Sequence, residues 1–123
     1  MLNQAILIGR LTRDPEFRYT PNGTPVASFT LAVDRAFQNQ QGQRDTDFLD
    51  IVVWRKLAEV CANYLSKGQL VAVTGSIQVR SYETQDGQKR RAWEIVADSV
   101  KFLERGSKSP SPAHDEDVEE VPF

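Results

Sequence analysis

Apolar residues recur at every second position through most of this chain, and that period leaves room for little but a small β-domain. Gln4–Thr12 (QAILIGRLT) is an apolar run interrupted by Gly9, and a glycine inside a strand marks a bulge or a bend. Pro21–Thr24 (PNGT) is a turn, because Asn-Gly takes the positive φ angles of a tight hairpin. After it Ala27, Phe29, Leu31 and Val33 alternate with Ser28, Thr30, Ala32 and Asp34. Gln38–Thr46 reads as a polar loop, and Asp47–Trp54 (DFLDIVVW) as the next strand. Further on, Val71, Val73, Ile77 and Val79 share one parity and are expected to point inward, which sends Ser76, Gln78, Arg80 and Tyr82 outward. Gln85–Gln88 (QDGQ) turns that strand into a partner, RAWEIVADSVKFL.

One segment breaks the period. KLAEVCANYLSKG places Leu57, Val60, Cys61, Tyr64 and Leu65 at helical spacing on a single stripe. Gly68 is expected to stop this helix and Lys67 to lend it a favourable last-turn charge. The order is three strands, a helix, then a hairpin. That order predicts a mainly β fold: a five-stranded OB-fold barrel with its one helix between strands 3 and 4. An open α+β sheet is the alternative.

Composition changes at Gly106. The segment GSKSPSPAHDEDVEEVPF has too little apolar surface to offset the entropy of ordering it, so the chain divides into a folded body, 1–105, and a disordered acidic tail, 106–123. The division also resolves the charge. The net −2 of the whole combines a body with 14 Lys and Arg against 12 Asp and Glu, a net of +2, with a tail that sets Lys108 against five acids, a net of −4. No run approaches the roughly 18 continuous apolar residues of a membrane span, and MLNQAILIGRLTRDP lacks the basic lead and apolar core of a signal peptide. Cys61 is the single cysteine, which fits a reducing, cytoplasmic setting.

The strand Asp47–Trp54 carries the functional signal. Leu49, Ile51 and Val53 form an unbroken aliphatic face and are expected in the core. Phe48 and Trp54 then lie on the other face with Asp50, and Arg55 follows. With Arg80 and Tyr82 on the outward parity of the later hairpin, aromatics and cations share the surface. Single-stranded nucleic acid suits such a surface: every base has a π-face, stacking contributes about 1–3 kcal/mol per base without sequence preference, and cations track phosphate. Candidate phosphate ligands are Arg10, Arg35, Arg55, Arg80 and, at the hairpin tip, Lys89, Arg90 and Arg91. The competing reading buries Phe48 and Trp54 against a second subunit. Trp93 reads as a packing residue, and Phe17 and Tyr19 as structural.

Catalysis finds no support. His114, the one histidine, is in the tail, and Cys61 sits in the apolar stripe of the helix. Asp45, Asp47 and Asp50 do not converge, since Asp47 and Asp50 have opposite parity. Phosphate loops and metal-ligand spacings are absent, and neither a cofactor nor a metal is expected.

Taken together, NQAILIGRLTRDPEFRYTPNGTPVASFTLAVDRAF, WRKLAEVCANYLSKGQLVAVTGSI and YETQDGQKRRAWEIVADSVKFL resemble the bacterial-type single-stranded DNA-binding proteins over about residues 1–105, and again at the acidic tip. The resemblance implies an OB-fold homotetramer that wraps single-stranded DNA regardless of sequence in replication, repair and recombination. It implies stacking platforms at Phe37, Phe48, Trp54 and Tyr82, where members often carry Trp at three of the four. It also implies that the tip, Asp115, Glu116, Asp117, Glu119, Glu120, Val121, Pro122 and Phe123, docks replication and repair enzymes. In such docking Phe123 fills an apolar pocket, its terminal carboxylate meets a cation, and the acids steer the approach. Arg90–Trp93 (RRAW) departs from the family's more usual Tyr-Thr-Thr type of sequence, and the linker Gly106–His114 is short for the family. An OB-fold adaptor acting as a dimer and an RNA chaperone similar to cold-shock domains are the other readings.

Overall fold

Residues 1–104 are described by the structure, a computed structural model. The predicted tail and its tip lie outside the described residues. Six strands and one helix follow in the order β1 (Ala5–Leu11), β2 (Glu16–Tyr19), β3 (Pro25–Gln38), β4 (Arg44–Trp54), α1 (Arg55–Tyr64), β5 (Leu70–Glu83) and β6 (Lys89–Phe102). Five of them close a barrel, β1-β5-β6-β4-β3 and back to β1, with β4 and β6 parallel and every other pairing antiparallel. The expected OB barrel is what forms, and its helix follows the third long strand. The short β2 is an addition that sequence periodicity missed: four residues, all exposed, paired to the edge of β3 from Glu16↔Ser28 to Tyr19↔Pro25.

The core is built as alternation demands. Leu31, Ile51, Val53, Val71 and Val73 are fully buried inside the barrel. Ala58 and Cys61 of α1, and Leu65 just after it, pack into the same cluster. Each large side chain so buried stabilises the fold by roughly 1.5–3 kcal/mol relative to exposure. Burial also pushes the Cys61 thiol up to about 12, because the thiolate cannot be solvated there. Folding therefore holds the thiol neutral, and this contribution is complete below the ordinary thiol value near ~8.5 and is lost as pH rises from there through about 12. Alkylation at pH 8 is expected to label Cys61 only in urea-unfolded protein; rapid labelling of the native chain would contradict its burial.

Three hairpins share one turn. In each, the N–H of the first residue donates to the carbonyl four residues on: Thr20 to Thr24 at 2.9 Å, Asn39 to Gln43 at 2.6 Å and Thr84 to Gln88 at 2.8 Å. The fourth residue is glycine at positive φ, 86° at Gly23, the geometry of a three-residue loop. The polar loop expected over Gln38–Thr46 is accordingly only five residues, 39–43, because pairing runs out to Gln38↔Arg44.

Two expectations need correction. The helix ends at Tyr64, with the Leu65 N–H donating to the Cys61 carbonyl, so Lys67 lies beyond its last turn and Gly68 shapes the loop after it. In that loop the side chain of buried Gln69 accepts from the Ser66 N–H at 3.1 Å and donates to the Glu104 carbonyl at 2.8 Å, tying the helix exit to the end of β6. The second correction concerns β5. Val71 and Val73 point inward as expected, but Ile77 and Val79 are exposed. The β5–β6 register shifts at Gly75, β6 last pairs with β4 at Ile95 opposite Ile77, and beyond that rim the two strands continue as a ribbon paired only to each other, with no core to face.

Candidate functional site

The outer face of β3 and β4 is a polar floor between two aromatics. Register places Ala32 beside Phe48, Thr30 beside Asp50 and Ser28 beside Val52, and the Thr30 hydroxyl donates to Asp50 Oδ1 at 3.2 Å. Phe48 is 65% exposed and Trp54 41% exposed, so neither is a core residue. Six residues of strand separate them, about 20 Å. Phe37 is exposed near the end of β3, within an irregularity of the β3–β4 register between Asp34 and Gln38. Tyr82 is exposed on the ribbon, with the Arg80 guanidinium carbon 5.8 Å from its ring centroid.

A groove of about 250 Å³ runs from this floor to the ribbon, and the four aromatics stand outside its lining. Ser28, Thr30, Asp50 and Val52 supply its floor, Arg13 and Arg18 one side, and Arg80 with Glu94 the ribbon side. Four acids also line it, Asp14, Glu16, Asp50 and Glu94, and three of them are engaged. Asp50 holds Thr30, Glu94 meets Arg80 Nε at 3.4 Å, and Asp14 accepts the Lys67 N–H at 2.8 Å. Arg13 and Arg18 were not singled out in the sequence. The signal that finds Arg18 is register, since it pairs with Val26, which in turn pairs with Trp54.

The predicted cations divide by environment. Arg10 is committed elsewhere: it donates to both oxygens of Glu104, at 2.9 and 3.2 Å, and to the Gly68 carbonyl at 2.9 Å. It latches the start of the barrel to the end of β6. Arg35 donates twice to Asp47, both at 3.1 Å, and holds that carboxyl below the usual carboxylate range. Arg55 is exposed directly after Trp54, and Lys89, Arg90 and Arg91 are exposed on the ribbon. Arg90 donates to Gln88 Oε1 at 2.9 Å.

Arg55 has φ of +62°, an uncommon value for a residue with a Cβ, and it stands where β4 turns into α1. The preceding Trp54 N-cap makes no side-chain capping bond. The strain is thus carried at the residue that sets the direction of the chain after Trp54. Arg55→Gly is expected to raise stability by up to about 1 kcal/mol in urea denaturation, by relieving the left-handed backbone. A loss of stability would show that the Arg55 side chain contributes more than the strain costs.

Phe17 and Tyr19 pack edge to face on β2, centroids 5.2 Å apart, away from the groove floor. Trp93 departs from the packing role expected of it: it is 67% exposed, paired with Val79 on the ribbon.

A closed five-strand barrel with separated aromatics among arginines on its outer face defines a binding module of the OB class. The profile of the single-strand binding protein family matches residues 2–103, and the chain belongs to that family, whose members are DNA-binding proteins and not enzymes. The chain is 61% identical over 110 residues to a single-stranded DNA-binding protein of Halalkalibacterium halodurans, covering 89% of this chain and 66% of that one. It is 54% identical over 121 residues to the single-stranded DNA-binding protein of Bacillus cereus, covering 92% and 71%. It is 53% identical over 118 residues to single-stranded DNA-binding protein A of Bacillus subtilis, covering 94% and 69%. The chain thus spans about two thirds of the length of these relatives. Among the described residues no helix is long and apolar enough to cross a membrane.

Proposed function

We propose that this protein binds single-stranded DNA without sequence preference and protects it during replication, repair and recombination in the bacterial cytoplasm. The observation that carries this reading is the groove, because it connects the strand bearing Phe48 and Trp54 to the ribbon bearing Arg80 and Tyr82. Bases stack on Phe37, Phe48, Trp54 and Tyr82 while Arg13, Arg18, Arg55, Arg80 and the ribbon cations follow the backbone. Titrating tryptophan fluorescence with an unstructured thymine oligomer tests it. Quenching at low salt is expected, with log affinity falling against log salt by about 0.7 per phosphate neutralised. Equal affinity for duplex DNA would overturn the reading.

Assembly as a homotetramer belongs to the same proposal. Ile6 and Ile8 are 69% and 49% exposed on the outer side of β1, in register with Thr74 and Ala72 of β5. An apolar strip of that kind suits a subunit interface. Ile6→Glu with Ile8→Glu is expected to lower the native mass to that of smaller species; an unchanged tetramer would move the interface elsewhere.

The acidic segment Asp115, Glu116, Asp117, Glu119, Glu120, Val121, Pro122 and Phe123 is the proposed docking site for replication and repair enzymes. Acids steer the approach, and Val121, Pro122 and Phe123 supply apolar contact with little conformational freedom to lose at the proline. Deleting 106–123 is expected to abolish partner capture. It is also expected to raise low-salt DNA affinity, because the acids compete for the basic groove.

A further inference from the structure

We propose that the reverse side of the β5–β6 ribbon, built by Trp93, Arg91 and Lys89, is a further stretch of the single-stranded DNA path. The proposal rests on the binding function just given and adds a stacking residue to it. Beyond Gly75 the ribbon is paired only to itself at its outer half: Val79↔Trp93, Ser81↔Arg91 and Glu83↔Lys89 lie on one side, while Arg80↔Ala92 and Tyr82↔Arg90 lie on the other. Side chains at alternate positions of a strand point the same way, so Trp93, Arg91 and Lys89 form one row. Their repeat is about 6.8 Å, twice the 3.4 Å rise per phosphate of a stacked strand.

The row has the two components that sequence-independent binding requires. Trp93 is 67% exposed, more so than Trp54. A tryptophan left that open at a ribbon's middle offers its face to a base. Arg91 and Lys89 are exposed and make no ion pair among the described residues, and the one acid on that side is Glu83 at the tip. That charge balance selects a polyanion. A second copy of the chain covering the row would press Trp93 into an apolar contact with Arg91 and Lys89 beside it, and a cation desolvated without a partner is costly. A strand that has reached Tyr82 and Arg80 on the front therefore has an aromatic and cations to continue on behind. The two sides together make the ribbon a finger around which DNA passes.

The chain's two tryptophans give a direct test. Trp54→Phe leaves Trp93 as the sole tryptophan, and Trp93→Phe leaves Trp54. In the Trp54→Phe protein, Trp93 is expected to be quenched by iodide before DNA is added, and to lose both emission and iodide access on titration with a long thymine oligomer. Trp93→Ala is expected to lower affinity roughly five- to hundredfold, the stacking range of 1–3 kcal/mol converted at 1.4 kcal/mol per decade, with Trp93→Phe within a few-fold of the parent. Circular dichroism checks the folding of each variant. Trp93 emission already blue-shifted and iodide-protected without DNA, and reverting on dilution, would assign the row to a second copy and overturn the proposal. A silent Trp93 beside a responding Trp54, with Trp93→Ala at parental affinity, would overturn it while leaving single-stranded DNA binding intact. If neither tryptophan responds and no complex forms in gel retardation, the underlying function fails as well.

Discussion

Trp54→Ala is expected to weaken binding of a thymine oligomer by roughly ten- to hundredfold, within the range of 1–3 kcal/mol for one lost stacking platform. Trp54 is chosen over the other aromatics because it stands at a junction. It ends the strand that floors the groove, and the strained Arg55 follows it directly. Stability should change little, since the ring is partly exposed and the core beneath it, Val53 and Ile51, is untouched. Phe17→Ala is the matched control. Phe17 packs on Tyr19 at the edge of the sheet, so its loss is expected to cost folding stability and leave affinity within a few-fold. Isothermal titration of both variants at one salt concentration decides the matter. If Phe17→Ala loses more affinity than Trp54→Ala at matched folding, the face assignment is inverted.

Gly75→Ala is expected to destabilise the fold by at least about 3 kcal/mol, a large part of the 5–15 kcal/mol that holds a domain of this size together. A Cβ at Gly75 would lie 2.1 Å from the Val96 carbonyl oxygen and 2.8 Å from the Ala97 Cα. Both are backbone atoms and cannot rotate away. The crowding has a cause: register between β5 and β6 slips at Thr74/Gly75, where the sheet coils hard to close the barrel and the ribbon departs. Gly9 meets the same condition where β1 crosses β3, since its Cβ would lie 2.3 Å from the Ala32 carbonyl oxygen. Gly87 is the contrast: its φ is +83°, but nothing lies within 4 Å of an added Cβ. Gly87→Ala should therefore cost only the left-handed backbone penalty of about 1–2 kcal/mol. Urea midpoints at one protein concentration compare the two. Equal losses would mean that steric closure at Gly75 is not what the glycine serves.

Much of the site was legible because strand parity is a strictly local property. Leu49, Ile51 and Val53 went inward and Phe48 and Trp54 outward without reference to any other element. Reading failed where parity lost its meaning. Ile77 and Val79 keep the inward phase of Val71 and Val73, yet they lie at the rim of the barrel and past it, and an inward direction without a core is exposure. Trp93 was misplaced for the same reason. The short β2 escaped notice because an edge strand of four residues with both faces open has no alternation to display.

By itself the sequence determined the five long strands, the one helix, the turns, the inner and outer faces of β4, and the division of charge between body and acidic segment. These follow from rules that act over two to five residues. Only the tertiary structure decided which cations remain available. Arg10 is separated from Glu104 by most of the chain and is bound to it in the fold, while Arg18 is brought to the groove by the pairing of β2 and Arg13 by the bend before it. Which of two chemically identical guanidinium groups is left to meet a phosphate depends on what the closure of the barrel places beside it, and closure is a property of the whole chain.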